Sequence, residues 1–287
     1  WDRTDRIDSL ARRVSSVPLR VKCFHRWLLG MAAQWLETDR LHANSVSPVL
    51  VSRTQGKQKS TFCKLLLPRE LQRYYTDSYD LSAQSAAECK LTEFGLINMD
   101  EFDKFTPRKM ALLKNLMQVV NPCVRKAHQK NYRPLPRVAS FIATSNQKEL
   151  LTDPTGSRRF LCVEIENKID CSPLDYRQLY AQLKAELLAG ERYWFTSEEE
   201  AEILAANESY YKHPVEEDVF RSCFRPAGYG EKALMLSAAE IFQRLKKYNP
   251  AAMRSVSAGN FGKFLSSLGI ERKHTESGNF YRVVALV

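Results

Sequence analysis

The sequence predicts an α/β protein, with a mostly parallel sheet carrying helices on its faces and then a small domain of two helices and a hairpin. Three observations carry this expectation. Continuous apolar runs of strand length recur at 47–51, 95–99, 140–144 and 160–165, and helical stretches separate most of them. Polar residues of chemical interest follow these runs, where the working groups of such sheets collect. Beyond residue 230 the pattern changes to helix, helix and two short strands around a turn at 276–279.

The elements follow in order. Between residues 6 and 37, Ile7, Leu10, Val14, Phe24, Trp27, Leu28, Met31 and Trp35 recur at helical spacing, interrupted at Pro18. This predicts a helical lead-in over 1–44. A core is expected over 45–190: a buried strand at 47–51, a polar loop over 52–58, and a helix from Lys59 that Pro68 stops. The second strand ends in Asp100-Glu101-Phe102-Asp103, a helix spans 108–120, and the third strand ends at Ser145-Asn146. Helices are expected at 174–188 and 197–211, with 191–230 as a lid or linker. The Pro and Gly content of 225–230 marks a boundary before a last domain at 231–287.

Composition narrows the class of function. With 287 residues, 44% of them hydrophobic, the chain has enough apolar surface for one large and one small domain. Its formal charge of +10 favours a polyanionic partner, nucleic acid first, the alternative being an ordinary basic surface. The seven cysteines are odd in number and scattered, without a C-x-x-C pair, which points to reduced thiols in the cytoplasm. No apolar run is long enough to span a bilayer and the opening Trp-Asp-Arg-Thr-Asp-Arg is no signal peptide, so no membrane partner is expected. The start at Trp1 rather than Met suggests a further N-terminal part.

The chemistry concentrates in four segments. Gln55-Gly56-Lys57-Gln58-Lys59-Ser60-Thr61 lies between a strand and a helix, the context of a loop that cradles ATP phosphates, with a lysine for the β and γ oxygens and a hydroxyl for Mg²⁺. Arg53 and Gln58 stand where that pattern has glycines. Glycine before the lysine normally allows tight geometry, so Gln58 is expected to weaken binding or reshape the loop. The alternative is a basic turn opening a helix. The strand running into Asp100 and Glu101 supplies a metal-positioning carboxylate and a base for the attacking water, unless Asp100 or Asp103 merely caps the next helix. Asn146 suits a γ-phosphate sensor, and Arg158 or Arg159 a cation offered to a neighbouring subunit's nucleotide, the alternatives being a loop start and a solvated turn.

In this order the four segments resemble the Walker A, Walker B, sensor 1 and arginine-finger motifs of the virulence-associated E family, most specifically at Asp153-Pro154-Thr155-Gly156-Ser157-Arg158-Arg159-Phe160. That family is similar to the superfamily 3 helicases, AAA+ ATPases that act as rings and are often fused to a primase. The resemblance implies a P-loop sheet of that kind, with Lys59 and Ser60 on phosphate and Mg²⁺, Asp100 and Glu101 serving metal and water, Asn146 sensing the γ-phosphate, and Arg158 or Arg159 acting in trans. It also implies a hairpin between the second and third strands that carries basic residues into a ring channel. Lys126, His128 and Lys130 take that role here, the alternative being a solvated basic loop.

In 233–287 eight Lys and Arg face three Glu, on two helices and a probable hairpin. A winged-helix-like domain is expected, with Lys263 on the groove-reading helix and Lys273 on the wing; the alternative is a small packing domain. The function these readings predict is an ATP-dependent, helicase-like DNA motor for a mobile element, forming a homo-oligomeric ring. A non-catalytic nucleic-acid-binding module with a degenerate nucleotide site is the other reading.

Overall fold

In the computed structural model the described residues are 1–287 apart from 39–40, 126–130, 153–155, 213, 229 and 277. They form two compact units, Trp1–Tyr211 and Lys212–Val287.

The first unit runs α1 (Arg6–Arg12), α2 (Pro18–Leu36), β1 (Ser47–Val51), α3 (Lys59–Leu65), β2 (Tyr75–Thr76), α4 (Gln84–Glu93), β3 (Leu96–Met99), α5 (Pro107–Leu116), β4 (Cys123–Val124), β5 (Arg133–Pro134), β6 (Ser140–Ser145), β7 (Phe160–Glu164), α6 (Tyr176–Leu188) and α7 (Ser197–Ala206). Its main sheet has the order β2-β3-β6-β1-β7, and each neighbouring pair is parallel. Strand β6 therefore lies between β1 and β3, and Ala143 stands in register with both Val49 and Met99.

Both faces of this sheet are covered, which is why its strands read as unbroken apolar runs rather than as alternating patterns. Alternate side chains enter different cores. Leu50, Leu96, Ile142 and Leu161 meet Phe24 and Trp27 of α2, Phe62 of α3 and Leu183 of α6. On the other side Val49, Ile97, Phe141 and Phe160 meet Leu91 of α4 and Leu113 and Leu116 of α5. Each fully buried side chain of this size contributes about 1.5–3 kcal/mol.

The helical lead-in belongs to this unit, since α1 and α2 supply part of the first core and the Arg6 amide donates to Gln182 Oε1 at 2.8 Å. Segment 191–230 is divided between the units. Tyr193 and Ile203 are buried in the first unit's core, whereas Val219 and Phe220 are buried in the second's. Helix α7 stops at Ala206 because Asn207 turns to the main chain of β7, donating to Phe160 O at 2.6 Å and accepting from Cys162 N at 3.3 Å.

The second unit contains α8 (Val215–Cys223), β8 (Phe224–Pro226), β9 (Leu234–Ser237), α9 (Ala238–Tyr248), α10 (Ala258–Ser267), β10 (Arg272–Thr275) and β11 (Gly278–Ala285). Strand β11 is the hub of its sheet, pairing antiparallel with β8, β9 and β10. Ile241, Leu245, Phe261, Leu265 and Val283 close its core. Ser237 and Glu240 form a reciprocal capping box that starts α9.

Two polar devices hold the first unit together. Arg137, only 3% exposed, donates to the carbonyls of Ala139 at 2.7 Å, Met117 at 2.7 Å, Leu116 at 3.2 Å and Asn44 at 3.3 Å, and lies over the Phe141 ring. It caps the carboxyl end of α5 where carbonyls lack helical partners, and burial pulls its pKa down to about 10. Gly30, inside α2, marks a close approach: a Cβ there would come 2.7 Å from Asn44 Cγ. Asn44 cannot easily retreat, because its Nδ2 donates to Trp27 O and Ser140 Oγ, each at 3.0 Å.

Two outcomes are expected. Gly30→Ala should lower stability by about 1–3 kcal/mol despite alanine's better helix propensity. In urea melts, adding Asn44→Ala should then cost less than it does in the parent chain. Glu199 takes a bidentate pair from Arg192 at 2.7 and 2.9 Å, which with the Thr196 amide outweighs burial and lowers its pKa to about 2. A carboxyl depressed in the folded state contributes stability above its unfolded pKa and loses it as pH falls toward the folded value. Glu199→Gln should therefore destabilise the chain at pH 7 and flatten the part of the stability-pH curve between about pH 5 and 2.

Candidate functional site

The site is assembled at the carboxyl ends of β1, β3 and β6. After β1 the chain enters a loop of exposed residues, Arg53 to Gly56, then turns into α3 through two left-handed residues, Gly56 at φ 79° and Gln58 at φ 63°. Gln58 thus holds the backbone conformation that glycine favours, and the loop keeps this turn without a glycine before Lys59. Lys57 ties the loop to the segment after β7: its Nζ donates to Glu166 O at 2.6 Å, and its carbonyl accepts from Ile169 N at 3.1 Å.

Lys59 is 8% exposed and points back over the sheet ends. Its Nζ donates to Asn146 Oδ1 at 2.9 Å and is 3.5 Å from Ser52 O. Burial lowers its pKa, opposed by the nearby charges of Asp100 and Asp103. Both direct acceptors are neutral, and among the described residues no carboxylate forms an ion pair with this ammonium.

Asp100, after β3, accepts on one oxygen from Ser60 Oγ at 3.3 Å and from Thr144 Oγ1. Asp103 accepts from Ser145 Oγ at 2.8 Å and from the Asn146 amide at 3.3 Å, fixing the turn that presents Asn146. Neither carboxylate caps the next helix; Thr106 caps α5 through the Lys109 amide. Glu101 is exposed, adopts φ 51°, and its carboxylate takes Lys104 Nζ at 2.6 Å.

Lys59, Ser60, Asp100 and Asn146 are therefore brought together, with Glu101 adjoining Asp100. Gln55 and Thr61 are exposed on either side of the turn. The oxygens of Ser60 and Asp100 are hard donors of the kind Mg²⁺ takes. Asp103 and Thr144, which order this cluster, carry no local sequence signal for that role; only the register of β6 against β3 reveals it.

Arg158 and Arg159 lie in a 3₁₀ turn before β7, and Arg158 Nε contacts Glu200 Oε2 of α7 at 3.1 Å rather than the Lys59 cluster. A cleft of about 240 Å³ beside the loop is lined by residues that include Arg13, Ser16, Arg20, Glu166 and Lys168. Strands β4 and β5 form a short antiparallel hairpin between β3 and β6. Lys126, His128 and Lys130 lie outside the described residues. In the second unit Lys263 is exposed on α10, and Lys273 is exposed on β10 opposite Phe280. Among the described residues no helix is long and apolar enough to cross a membrane.

The left-handed turn at Gln58 is testable. Gln58→Gly should relieve about 1–2 kcal/mol of strain against about 0.5–1 kcal/mol of added chain entropy, leaving stability equal or slightly higher. Gln58→Val, β-branched, should lower it by about 1 kcal/mol or more, read from denaturant midpoints.

Comparison with known proteins places the chain. A family model of the virulence-associated protein E-like domain matches residues 1–212, and a second, a domain of unknown function described from a B. Theta gene, matches residues 213–283. No curated protein matches the chain. Among solved structures, an A-form apo structure of the NrS-1 C-terminal region is 17% identical, with a TM-score of 0.39, covering 71% of this chain and 42% of that one. Two further apo structures of that region are 13% and 12% identical, each with a TM-score of 0.44, covering 97% of this chain and 75% of theirs. The chain thus spans less than half of the first of these structures. With the family match extending over residues 1–212, the whole first unit included, the chain belongs to the virulence-associated protein E-like family.

Proposed function

We propose that the first unit is a magnesium-dependent ATPase whose turnover is coupled to nucleic acid, in a helicase-like motor that replicates or maintains a mobile element. The observation that carries this is the convergence of Lys59, Ser60, Asp100 and Asn146 where β1, β3 and β6 end, with Lys59 donating to Asn146 at 2.9 Å. Lys59 meets the β and γ phosphates, and the loop amides from Gln55 to Ser60 follow the phosphate chain. Ser60 and Asp100 would hold Mg²⁺, which when bound would supply charge neutralisation at those phosphates. Glu101 leaves Lys104 to orient and deprotonate the attacking water, and Asn146 reports the γ-phosphate to β6. The cleft between Arg13 and Lys168 takes the base and sugar.

Arg158 or Arg159 serves the neighbouring subunit of a homo-oligomeric ring, and Arg158 exchanges Glu200 for that nucleotide on assembly. The β4–β5 hairpin supports the channel role given to Lys126, His128 and Lys130. In the second unit the order α8, β8, β9, α9, α10, β10, β11 supports a winged-helix reading, with α10 and Lys263 toward a duplex groove and Lys273 on the wing. The reading as a degenerate, non-catalytic module rests on Arg53 and Gln58. The left-handed backbone kept at Gln58, and the neutral partners of Lys59, favour the catalytic reading over it.

The test is ATP turnover with Mg²⁺, with and without single-stranded DNA. Turnover should rise with DNA and vanish in Lys59→Ala. Glu101→Gln should lose about 10²- to 10⁴-fold in turnover while still binding ATP. Full turnover in Glu101→Gln would remove that residue from the chemistry, and absence of ATP binding in the parent chain would leave the non-catalytic module.

A further inference from the structure

The hairpin has an outward face whose composition is specific. Cys123 pairs with Pro134 and Val124 with Arg133, so the same register sets Arg125 opposite Tyr132 at the point where the strands end. Side chains on a ribbon alternate between faces. Val124 is turned inward and 4% exposed, whereas Cys123, Arg125, Tyr132 and Pro134 are all exposed. Tyr132 keeps 56% of its surface in water, and the Arg125 guanidinium lies over its ring at 5.4 Å from the centroid. Arg133, the cross-strand partner of Val124, belongs to the other face of the ribbon although its side chain is exposed.

A tyrosine ring left in water at the end of a two-stranded ribbon contributes little to the core. Braced by a guanidinium, it has the composition of a nucleobase contact: an aromatic face for stacking and a cation beside it for the adjoining phosphate. Only an unpaired base offers its flat face to such a ring. We propose that Tyr132 is a stacking platform for a base of single-stranded nucleic acid, with Arg125 holding the ring. This rests on the nucleic-acid reading of the first unit and deepens it, because it assigns a contact to the base as well as to phosphate.

The experiment compares binding of a labelled oligothymidylate and an abasic oligomer of equal length, about 20 nucleotides, to the whole chain at one salt concentration. The two probes share their phosphates and differ in bases. The parent chain should prefer oligothymidylate by about tenfold. Tyr132→Ala should bring that preference close to unity without changing affinity for the abasic oligomer, and Tyr132→Phe should keep it. If Tyr132→Ala leaves the preference intact, or weakens both probes equally as a misfolded hairpin would, the proposal is overturned. Equal binding of the two probes by the parent chain also overturns it while leaving phosphate binding standing, and binding to neither withdraws the nucleic-acid reading as well.

Discussion

Main-chain pairing of β6 between β1 and β3 is the constraint on which the rest of the first unit depends. Because Ala143 is in register with Val49 on one side and Met99 on the other, the three strands end within a residue or two of the same level. Three segments that are remote in sequence thereby release their polar residues into one place. Lys59 and Asn146, 87 residues apart, become hydrogen-bond partners, and Ser60 meets Asp100. The covered faces make this arrangement rigid, since a slip of one residue would exchange the side chains of the two cores.

The unit buries two cations in contrasting ways. Arg137 spends its donors on main-chain carbonyls around the end of α5 and is closed off from solvent. Burial lowers its pKa, opposed by Tyr79, and its role is architectural. Lys59 is also held by neutral oxygens, but Asp100 and Asp103 lie near enough to sustain its charge without pairing with it. One cation completes a helix; the other, on the proposed function, is kept for phosphate.

Much of this was legible in the sequence because two-sided burial writes strands as apolar runs, and the order of strand, loop and helix fixed where Lys59, Asp100 and Asn146 would stand. Gln58 was harder. Residue identity suggested a damaged loop, yet the left-handed conformation survives in a non-glycine residue at moderate strain. Helix α4 buries only Ala87 and Leu91 and so carries a weak periodic signal, and the two-residue β2 falls below any pattern. Residues 191–230 looked like one linker because periodicity reveals that a helix has an apolar face and not which core receives it. Asp103 reads as a helix cap until the register of β6 places Ser145 beside it.

The interleaved strand order also bears on how the chain is made. Strand β1 leaves the ribosome well before either of its partners, and Asn44 must wait 96 residues for Ser140. Helix α1 waits longer still, for Gln182, 176 residues on from Arg6. At about 5–20 residues per second, the N-terminal helices and β1 spend on the order of 10 s or more with their apolar faces unmatched. The first unit therefore closes only when translation of its last helices is nearly complete, and until then the apolar faces of α1, α2 and β1 lack the partners that bury them.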